Sequence, residues 1–305
     1  MVKYIMSFFI FFVSSAYAQE KVNVYSRFPP SEVPSLVLMQ LIKEANSIQS
    51  EYEFKLNVLP GAGGEVADKK ALVVSKMGEK VVVFGTITNF TLNRIVYGNN
   101  FDRENDFIQV LAASNIPVSI MVNPNSNIYS LKDLVEHIKN KPKIYNASTT
   151  QAVASRLLDS VFKERYNINN ISLLEYKMAS ERIKSLLIGE TDYTIANPID
   201  STGLRQLVIS SEERHQFFPE IPTGKEVGFP EFVYTGYQLI YVPNIDKKFT
   251  ENVRSFFYNS CKSKNVMEFM ISVKYTAVCN NDTNWIKEQI SKQNILIEKH
   301  KESIK

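Results

Sequence analysis

The chain has 305 residues, of which 44% are hydrophobic and 22% are charged, and its formal net charge is +3 at pH 7. This length exceeds a single typical hydrophobic core, so we expect two domains of ordinary size. The 35 basic and 32 acidic residues are interspersed instead of forming a basic stripe, which makes nucleic acid a poor candidate partner.

The first 18 residues have the order of a secretory signal peptide. Lys3 supplies a positive charge, an apolar stretch runs from residue 5 to residue 13, and Ala16 and Ala18 are the small side chains that a signal peptidase admits. The apolar stretch is shorter than the about 20 residues that span a bilayer. We therefore predict cleavage after Ala18 and a soluble, periplasmic mature protein, with a buried N-terminal helix as the alternative interpretation.

Short apolar runs then alternate with amphipathic stretches, a pattern that is typical of βαβ units. We predict a strand at 22–25, a helix at 35–45 and a strand at 54–59. The runs at 81–84 and 118–122 are almost continuously apolar, as expected for strands that are covered by helices on both faces of a parallel sheet. The sequence therefore predicts an α/β fold.

A glycine-rich segment follows the strand at 54–59 and precedes a predicted helix that includes residues 69–74. Glycines permit positive φ and a close approach of the backbone to a ligand, and a helix N-terminus adds partial positive charge. An anion is therefore the expected ligand. The segment has neither the Gly-Lys-Ser/Thr ending of a nucleotide-binding loop nor the spacing of a dinucleotide fingerprint, and a plain turn is the alternative. Its residues are Gly61, Ala62, Gly63 and Gly64.

Polar side chains follow two further predicted strands, at the strand ends where α/β sheets collect ligands. Their hydroxyl and amide groups are neutral and can form hydrogen bonds with carboxylate oxygens. Ser and Thr also cap helices, and the second group precedes a predicted helix. The residues are Thr86, Thr88 and Asn89 after the strand at 81–84, and Ser148, Thr149 and Thr150 after a strand at 143–147.

The second half of the chain repeats the alternation. Ser130 and Asp133 predict the start of a helix, and Gly189 predicts the end of another before a strand at 193–195. Because no Gly-, Ser- or Pro-rich linker occurs, we expect structured crossings between the domains, at 109–123 and 232–242. The predicted division is a signal peptide at 1–18, a first lobe at 19–122 plus 232–305, and a second lobe at 123–231.

The chain lacks the sequence motifs of common enzymes and metal sites. His137, His215 and His300 lie far apart in the sequence, and we expect all three on the surface. We therefore predict a protein without catalytic activity, metal or cofactor. A secreted hydrolase or lyase remains the less favoured alternative, because carboxylates can meet in the fold without any sequence motif.

The two cysteines, Cys261 and Cys279, would reach an oxidising compartment after export. They are candidates for a disulfide, with two buried thiols as the alternative, because spacing does not show whether the Cα atoms approach to bonding distance.

Several short motifs, taken in chain order, resemble the periplasmic substrate-binding receptors of tripartite tricarboxylate transporters. The resemblance covers almost the whole chain after residue 18. It implies a Venus-flytrap fold with two α/β lobes, each a largely parallel sheet flanked by helices, joined by two crossover strands. The motifs are Phe28-Pro29-Pro30, Pro60 to Gly64, Gly85-Thr86, Asn146-Ala147-Ser148, Leu187-Ile188-Gly189 with Asp192, and Pro219 to Pro222.

The resemblance also implies where the ligand binds. Loops at 29–34 and 61–64 of the first lobe would hold one carboxylate of a small organic acid. The first loop departs from the family pattern, because Ser31 and Glu32 replace two glycines, and Glu32 would repel an anion if it pointed inward. The implied ligand residues beyond the polar groups above are Phe28, Pro30, Ser31 and Asn197.

The favoured function is a monomeric receptor that captures a small di- or tricarboxylate and delivers it to integral membrane transporter subunits. The main alternative is a ligand-sensing or degenerate binding protein of the same fold, which presents its closed form to another surface protein.

Overall fold

The computed structural model describes residues 19–98, 102–149 and 153–304. The predicted signal peptide at 1–18, its cleavage site at Ala18 and the candidate ligand residue Thr150 lie outside the described residues. In chain order, the strands are β1 (Glu20–Ser26), β2 (Tyr52–Val58), β3 (Val81–Thr86), β4 (Phe107–Ile116), β5 (Ser119–Val122), β6 (Ile144–Thr149), β7 (Ile171–Tyr176), β8 (Tyr193–Ala196), β9 (Arg205–Ile209), β10 (Gly236–Pro243) and β11 (Thr276–Asn280). The helices are α1 (Val33–Ser47), α2 (Glu65–Lys76), α3 (Asn93–Val96), α4 (Arg103–Asp106), α5 (Leu131–Lys139), α6 (Val153–Tyr166), α7 (Ala179–Leu187), α8 (Lys247–Lys262), α9 (Lys264–Ser272) and α10 (Thr283–Ile304).

The strands form two sheets with helices packed against them, which confirms the predicted two-lobed α/β fold. The first sheet has the order β11-β4-β10-β3-β1-β2, and the second has the order β7-β6-β8-β5-β9. β1 is parallel to β2 and β3, and β6 is parallel to β7 and β8. β10 and β5 run antiparallel to both of their neighbours. The sheets are therefore mixed, because these two strands enter directly from the other lobe.

Alternating residues of β3 explain why helices cover both faces of the first sheet. Val82 and Phe84 pack in one core cluster with Leu38 of α1, whereas Val83 packs in a second cluster with Ala71 of α2. Successive side chains of a strand point to opposite faces, so a continuously apolar strand needs two covers. In the second lobe, Ser130 caps α5 as predicted, because its Oγ accepts a hydrogen bond of 3.1 Å from the amide of Asp133.

The first crossing between the lobes lies at residues 117–118, within the range of 109–123 that was predicted for it. β4 belongs to the first sheet, whereas β5 belongs to the second, so residues 119–122 are not part of the first lobe. Pro117 separates the two strands, and proline has no amide hydrogen with which to continue a ladder. The return crossing lies just before β10, since Phe232 and Tyr234 still pack in the core of the second lobe.

Ser210 joins the two crossings. Its backbone and side chain exchange hydrogen bonds with Val118, at 2.9 and 3.0 Å, and with Tyr234, at 3.0 and 2.9 Å. Beside it, a Cβ on Gly236 would lie 2.6 Å from the carbonyl oxygen of Ile116, so only glycine allows the crossings to approach this closely. The two connections therefore form one hydrogen-bonded unit between the lobes.

Helix α10 contacts both lobes, although the prediction assigned it to the first. Ile286 and Ile290 pack in the core of the first lobe, and Ile297 packs in the core of the second. Between them, Gln293 donates a hydrogen bond of 2.7 Å to the carbonyl of Thr235 at the return crossing. Among the described residues, no helix, α10 included, is both long and apolar enough to cross a membrane.

Two of the three histidines are buried, so the prediction that all three lie on the surface is wrong. His215 is 8% exposed, and its Nε2 lies 2.9 Å from the hydroxyl of Thr276. Burial lowers the pKa of His215, which favours the neutral ring. His300 is 3% exposed and lies 2.8 Å from Glu164. Sequence position alone does not show which helix face or loop turns inward.

Cys261 of α8 and Cys279 of β11 form a disulfide, with Cα atoms 5.6 Å apart and 18 residues apart in sequence. Replacing both with Ala is expected to lower the free energy of unfolding by about 3 kcal/mol, because a closed loop of this length restricts the unfolded chain. Urea unfolding with and without reductant measures the change. Two alkylatable thiols in the unreduced wild-type protein would contradict the bridge.

Candidate functional site

A cavity of about 380 Å³ lies between the two lobes. Its floor is formed by the crossings, through Ile116, Val118, Tyr234 and Gly236, and its walls come from both sheets. Its volume is within the range of about 300–1,000 Å³ that is usual for small-molecule sites. A ligand in this position touches both lobes and the connections between them.

The loop between β1 and α1 forms part of the first-lobe wall. Phe28, Ser31 and Glu32 line the cavity, and so do the first residues of α1, Val33 and Pro34. The structure therefore brings the N-terminal end of a 15-residue helix to the cavity, and its first turn contains no acidic residue. The helix dipole adds partial positive charge there, which favours an anion, and the exposed carboxylate of the N-cap residue Glu32 offsets part of this charge.

The strand end after β3 contributes two hydroxyls to the same wall. Thr86 and Thr88 line the cavity, with their Oγ1 atoms 2.6 Å apart. Asn89 is buried behind them, where its Oδ1 accepts a hydrogen bond of 3.1 Å from the amide of Thr86. Its Nδ2 donates to the carboxylate of Asp68 at 3.0 Å. Asn89 thus holds Thr86 in place and does not itself line the cavity.

The second-lobe wall combines neutral and cationic groups. Thr149 and Asn197, which were predicted as ligand residues, line it, and Lys177 and Arg182 lie beside them. Arg182 is 2% exposed, and it donates to the hydroxyls of Thr194 and Ser201 at 3.0 and 2.9 Å. These residues come from different elements of the second lobe, so their proximity depends on the tertiary fold.

Arg27 is a cavity residue that the sequence reasoning missed. It is 7% exposed, its guanidinium carbon lies 4.6 Å from the centre of the Phe28 ring, and its Nη2 lies 3.5 Å from the hydroxyl of Thr86. Burial lowers the pKa of Arg27, while the negative charge of Glu32 acts in the opposite direction. A signal did exist, because Arg27 follows the carboxyl end of a predicted strand, where α/β sheets place ligand residues.

The glycine-rich segment does not reach the cavity, although all four of its residues are described. Gly63 and Gly64 have φ of +62° and +108°, as expected, but they face the protein interior. A Cβ on Gly63 would lie 2.7 Å from the ring of Tyr97, and one on Gly64 would lie 2.7 Å from Asn89 and 3.3 Å from Cδ of Arg27. The chain's own side chains therefore occupy the space into which a side chain at Gly63 or Gly64 would point, and anion binding by the backbone of 61–64 stays a prediction.

The N-terminus of α2 behind these glycines also carries its own negative charge. Glu65 and Asp68, in the first turn of α2, are buried and bind Arg103 at 2.5 and 2.8 Å. These carboxylates offset the partial positive charge at the N-terminus of α2, the charge that was expected to attract an anionic ligand. The segment at 61–64 consequently supports the first-lobe wall from behind.

The structure thus brings together part of the predicted set and adds residues to it. Pro30 is exposed and Ser148 is buried, and neither lines the cavity. The added residues reach the cavity because of the directions of the helices and the paths of the loops that carry them. The spacing of residues in the sequence does not reveal these directions. The predicted residues at the cavity are Phe28, Ser31, Thr86, Thr88, Thr149 and Asn197, and the polar residues that the structure adds to them are Arg27, Glu32, Ser155, Lys177, Arg182, Tyr234, Gln238 and Tyr275.

The charges at the cavity favour an anionic ligand. Among the described lining residues, three are cationic, namely Arg27, Lys177 and Arg182, and one is a carboxylate, Glu32. Glu32 and Lys177 are exposed, whereas both arginines are buried, so two of the three positive groups are more desolvated than the carboxylate. No group of three His, Cys, Asp or Glu residues in the described ranges is arranged to hold a metal ion.

Comparison with known proteins places the chain beside solute-binding receptors. Residues 56–301 match the sequence profile of the family described as tripartite tricarboxylate transporter family receptor. The Bordetella pertussis protein BugT is 28% identical over 171 residues, which are 53% of this chain and 52% of BugT. The chain spans about half the length of the curated relatives that it matches.

Solved structures share the fold at low sequence identity. MatC from Rhodopseudomonas palustris, with bound malate, superposes with a TM-score of 0.77 and 14% identity, over 91% of this chain and 99% of MatC. A second R. palustris protein, with adipate, superposes with a TM-score of 0.77 and 16% identity, over 92% of this chain and 97% of that protein. The two-lobed fold therefore extends over nearly the whole of each neighbour.

Proposed function

This chain belongs to the tripartite tricarboxylate transporter receptor family, whose members are solute-binding receptors and not enzymes, and from this membership we propose its function. It captures a small organic carboxylate in the periplasm and delivers it to the membrane subunits of a transporter. The observation that carries the proposal is the cavity between the lobes, in which three cations and the N-terminus of α1 surround a space of about 380 Å³.

Binding in this position favours closure of the lobes. Thr86 and Arg27 approach the ligand from the first lobe, and Thr149 and Asn197 approach it from the second. A ligand shifts a conformational equilibrium by its differential affinity for the two states. Because contacts from both walls exist together only when the lobes are close, the ligand favours the closed form, which is the form delivered to the transporter.

A thermal-shift screen tests ligand capture. Malate, adipate, succinate and citrate are each added to the purified protein, and their neutral diamide or triamide analogues serve as matched controls. At least one carboxylate is expected to raise the melting temperature by several degrees, because a ligand at 100 times its Kd stabilises the fold by about 2.7 kcal/mol. The amides, which lack negative charge, are expected to leave the melting temperature unchanged.

If no carboxylate stabilises protein that circular dichroism shows to be folded, ligand capture as proposed is wrong. Delivery is tested separately, by deleting the gene and measuring uptake of the carboxylate that the screen identifies. Uptake that is unaffected by the deletion would contradict the transport role while leaving the binding role intact.

A further inference from the structure

We propose that the contact between His215 and Thr276 is a latch between the two lobes, and that protonation of the His215 ring releases it. His215 lies in the segment 211–222 of the second lobe, between β9 and β10, whereas Thr276 lies in β11, the edge strand of the first sheet. The latch does not depend on the identity of a ligand, but its expected effect on binding rests on the proposed function.

The segment 211–222 belongs to the second lobe. At its ends, the amide of Ile209 in β9 donates a hydrogen bond of 2.9 Å to the carbonyl of Pro222. Within it, Phe218 and Ile221 pack in one apolar cluster with Ile209. The segment is therefore attached to β9 along its length and not to the first sheet.

The segment meets the first lobe at the beginning of β11. Nε2 of His215 lies 2.9 Å from Oγ1 of Thr276, and Nζ of Lys274 lies 5.4 Å from the centre of the Phe218 ring. Tyr275, which lies between these two residues of the first lobe, lines the cavity. A change at this contact therefore affects a wall of the candidate ligand site.

The hydrogen bonds of His215 suit the neutral ring. The amide of Phe217 donates to Nδ1 of His215 at 3.3 Å, so the hydrogen of the neutral ring is on Nε2, where it faces Thr276. A protonated ring carries a hydrogen on both nitrogens. The added hydrogen on Nδ1 would face the amide hydrogen of Phe217, so protonation replaces a hydrogen bond with a contact between two donors.

The surroundings of His215 do not compensate a positive charge on its ring. His215 is 8% exposed, and a buried charge without a partner is costly. In the described ranges, no carboxylate forms an ion pair with His215. The charged side chains of the two chain segments that meet here are all exposed to water, and they are Glu212, Glu213, Arg214, Glu220 and Lys274.

The pH dependence of the latch has a definite sign. Burial lowers the pKa of His215 in the latched form, whereas release exposes the ring to water and returns its pKa towards the ordinary value of about 6.5. The latched form is therefore fully favoured at neutral pH, and the released form gains as the pH falls below that value. Between about pH 7.5 and about pH 5.5, the gain is about tenfold at most.

Hydrogen exchange of the ligand-free protein tests the latch without any ligand. The measured quantity is the protection of the amides in the segment 211–222, corrected for the pH dependence of the intrinsic exchange rate. Protection is expected to fall about three- to tenfold between about pH 7.5 and about pH 5.5, because release of the contact opens the segment locally. The amides of β1, in the middle of the first lobe, serve as the internal reference and are expected to stay protected.

Variants then test the two residues. His215→Gln keeps a neutral donor but cannot take up a proton, so its protection is expected to be the same at both pH values. His137→Gln is the matched control, because His137 lies in α5 beside Asp192, at 3.1 Å, and it should keep the pH dependence of the wild type. Thr276→Val removes the hydroxyl at nearly constant volume, and it is expected to lower the protection already at neutral pH.

Calorimetric titration then measures the effect on binding, with the tightest of malate, adipate, succinate and citrate as the probe. At the lower pH, the wild type is expected to lose several-fold more affinity than His215→Gln. Protonation of the probe itself cancels, because both proteins bind the same compound.

The outcomes separate this inference from the proposed function. Equal protection of the wild type at both pH values, or an equal fall in His215→Gln, would overturn the latch while leaving carboxylate capture intact. Wild-type protection in the folded Thr276→Val variant would overturn the role of that hydroxyl. Absence of binding by all four carboxylates would contradict the proposed function, whereas the exchange measurements would still decide whether the latch exists.

Discussion

Arg103→Met is expected to lower the free energy of unfolding by about 3–5 kcal/mol, because it leaves two buried carboxylates without their cation. Arg103 binds Glu65 and Asp68, and the three side chains are 6%, 5% and 0% exposed. Asp68 also accepts hydrogen bonds from Tyr241 at 2.6 Å and from Asn89 at 3.0 Å. The cluster therefore connects α2, α4, β10 and the strand end that carries Thr86.

The pH dependence of the loss has a definite sign. Burial raises the pKa of Glu65, and Arg103 acts in the opposite direction, so the variant should have a Glu65 pKa still further above its value in the unfolded chain. The folded variant then binds a proton more readily than the unfolded chain, and lowering the pH towards the raised pKa should recover stability. The deficit is expected to be largest at neutral pH.

Urea unfolding of Arg103→Met and of the control Arg94→Met measures the effect. Arg94 and Glu298 form an exposed pair, with side chains 48% and 50% exposed, so the control should lose at most about 1 kcal/mol. Adding Glu65→Gln to Arg103→Met should recover part of the loss, because one buried charge is removed. Equal losses in the two Arg→Met variants would show that the buried cluster contributes no more than a surface pair.

Gly64→Val is expected to destabilise the protein by about 2–6 kcal/mol, from backbone strain of about 1–3 kcal/mol and overpacking of similar size. The φ of Gly64 is +108°, and its added Cβ would lie 2.7 Å from Nδ2 of Asn89. Asn89 cannot move aside without losing its hydrogen bonds to Thr86 and Asp68. The same Cβ would lie 3.3 Å from Arg27, so carboxylate binding should weaken as well.

Gly78→Val is the matched control, because it separates strain from packing. Gly78 has φ of +93°, and no described atom lies within 4 Å of the position that its Cβ would occupy. It should therefore lose only the strain of about 1–3 kcal/mol and should bind the carboxylate normally. The two variants are compared by urea unfolding and by calorimetric titration. Identical losses of stability would show that the interior at Gly64 can adapt.

The sequence by itself was sufficient for the features that depend on local periodicity. Continuous apolar character identified β3 and β5, and Ser130 with Asp133 identified the start of α5. The helix start depends on a capping hydrogen bond across three residues of chain. The strand is visible in the sequence because burial of both of its faces requires consecutive residues to be apolar. The order of the short motifs along the chain was enough to indicate the receptor family.

Long-range packing decided the site. Gly63 and Gly64 adopt the positive φ that their sequence permits, but Asn89, Asn93 and Tyr97 fill the space beside them, and Glu65 and Asp68 offset the charge of the helix behind. A glycine-rich pattern indicates that other groups can approach the backbone closely. It does not indicate whether those groups belong to a ligand or to the protein. The approaching groups come from elsewhere in the chain.

The sequence determined the α/β alternation, the helix starts and the strand ends, because these follow from local hydrogen bonding and from apolar periodicity. The resemblance to a receptor family, carried by short motifs, implied the Venus-flytrap arrangement of the two lobes. The tertiary structure alone decided that Arg27 and Arg182, 155 positions apart, line one cavity. It also decided that His215 and His300 are buried. The physical reason is that the direction of a side chain depends on which helix face packs against the sheet and on where the chain crosses between lobes, and both are set by the burial of the whole core.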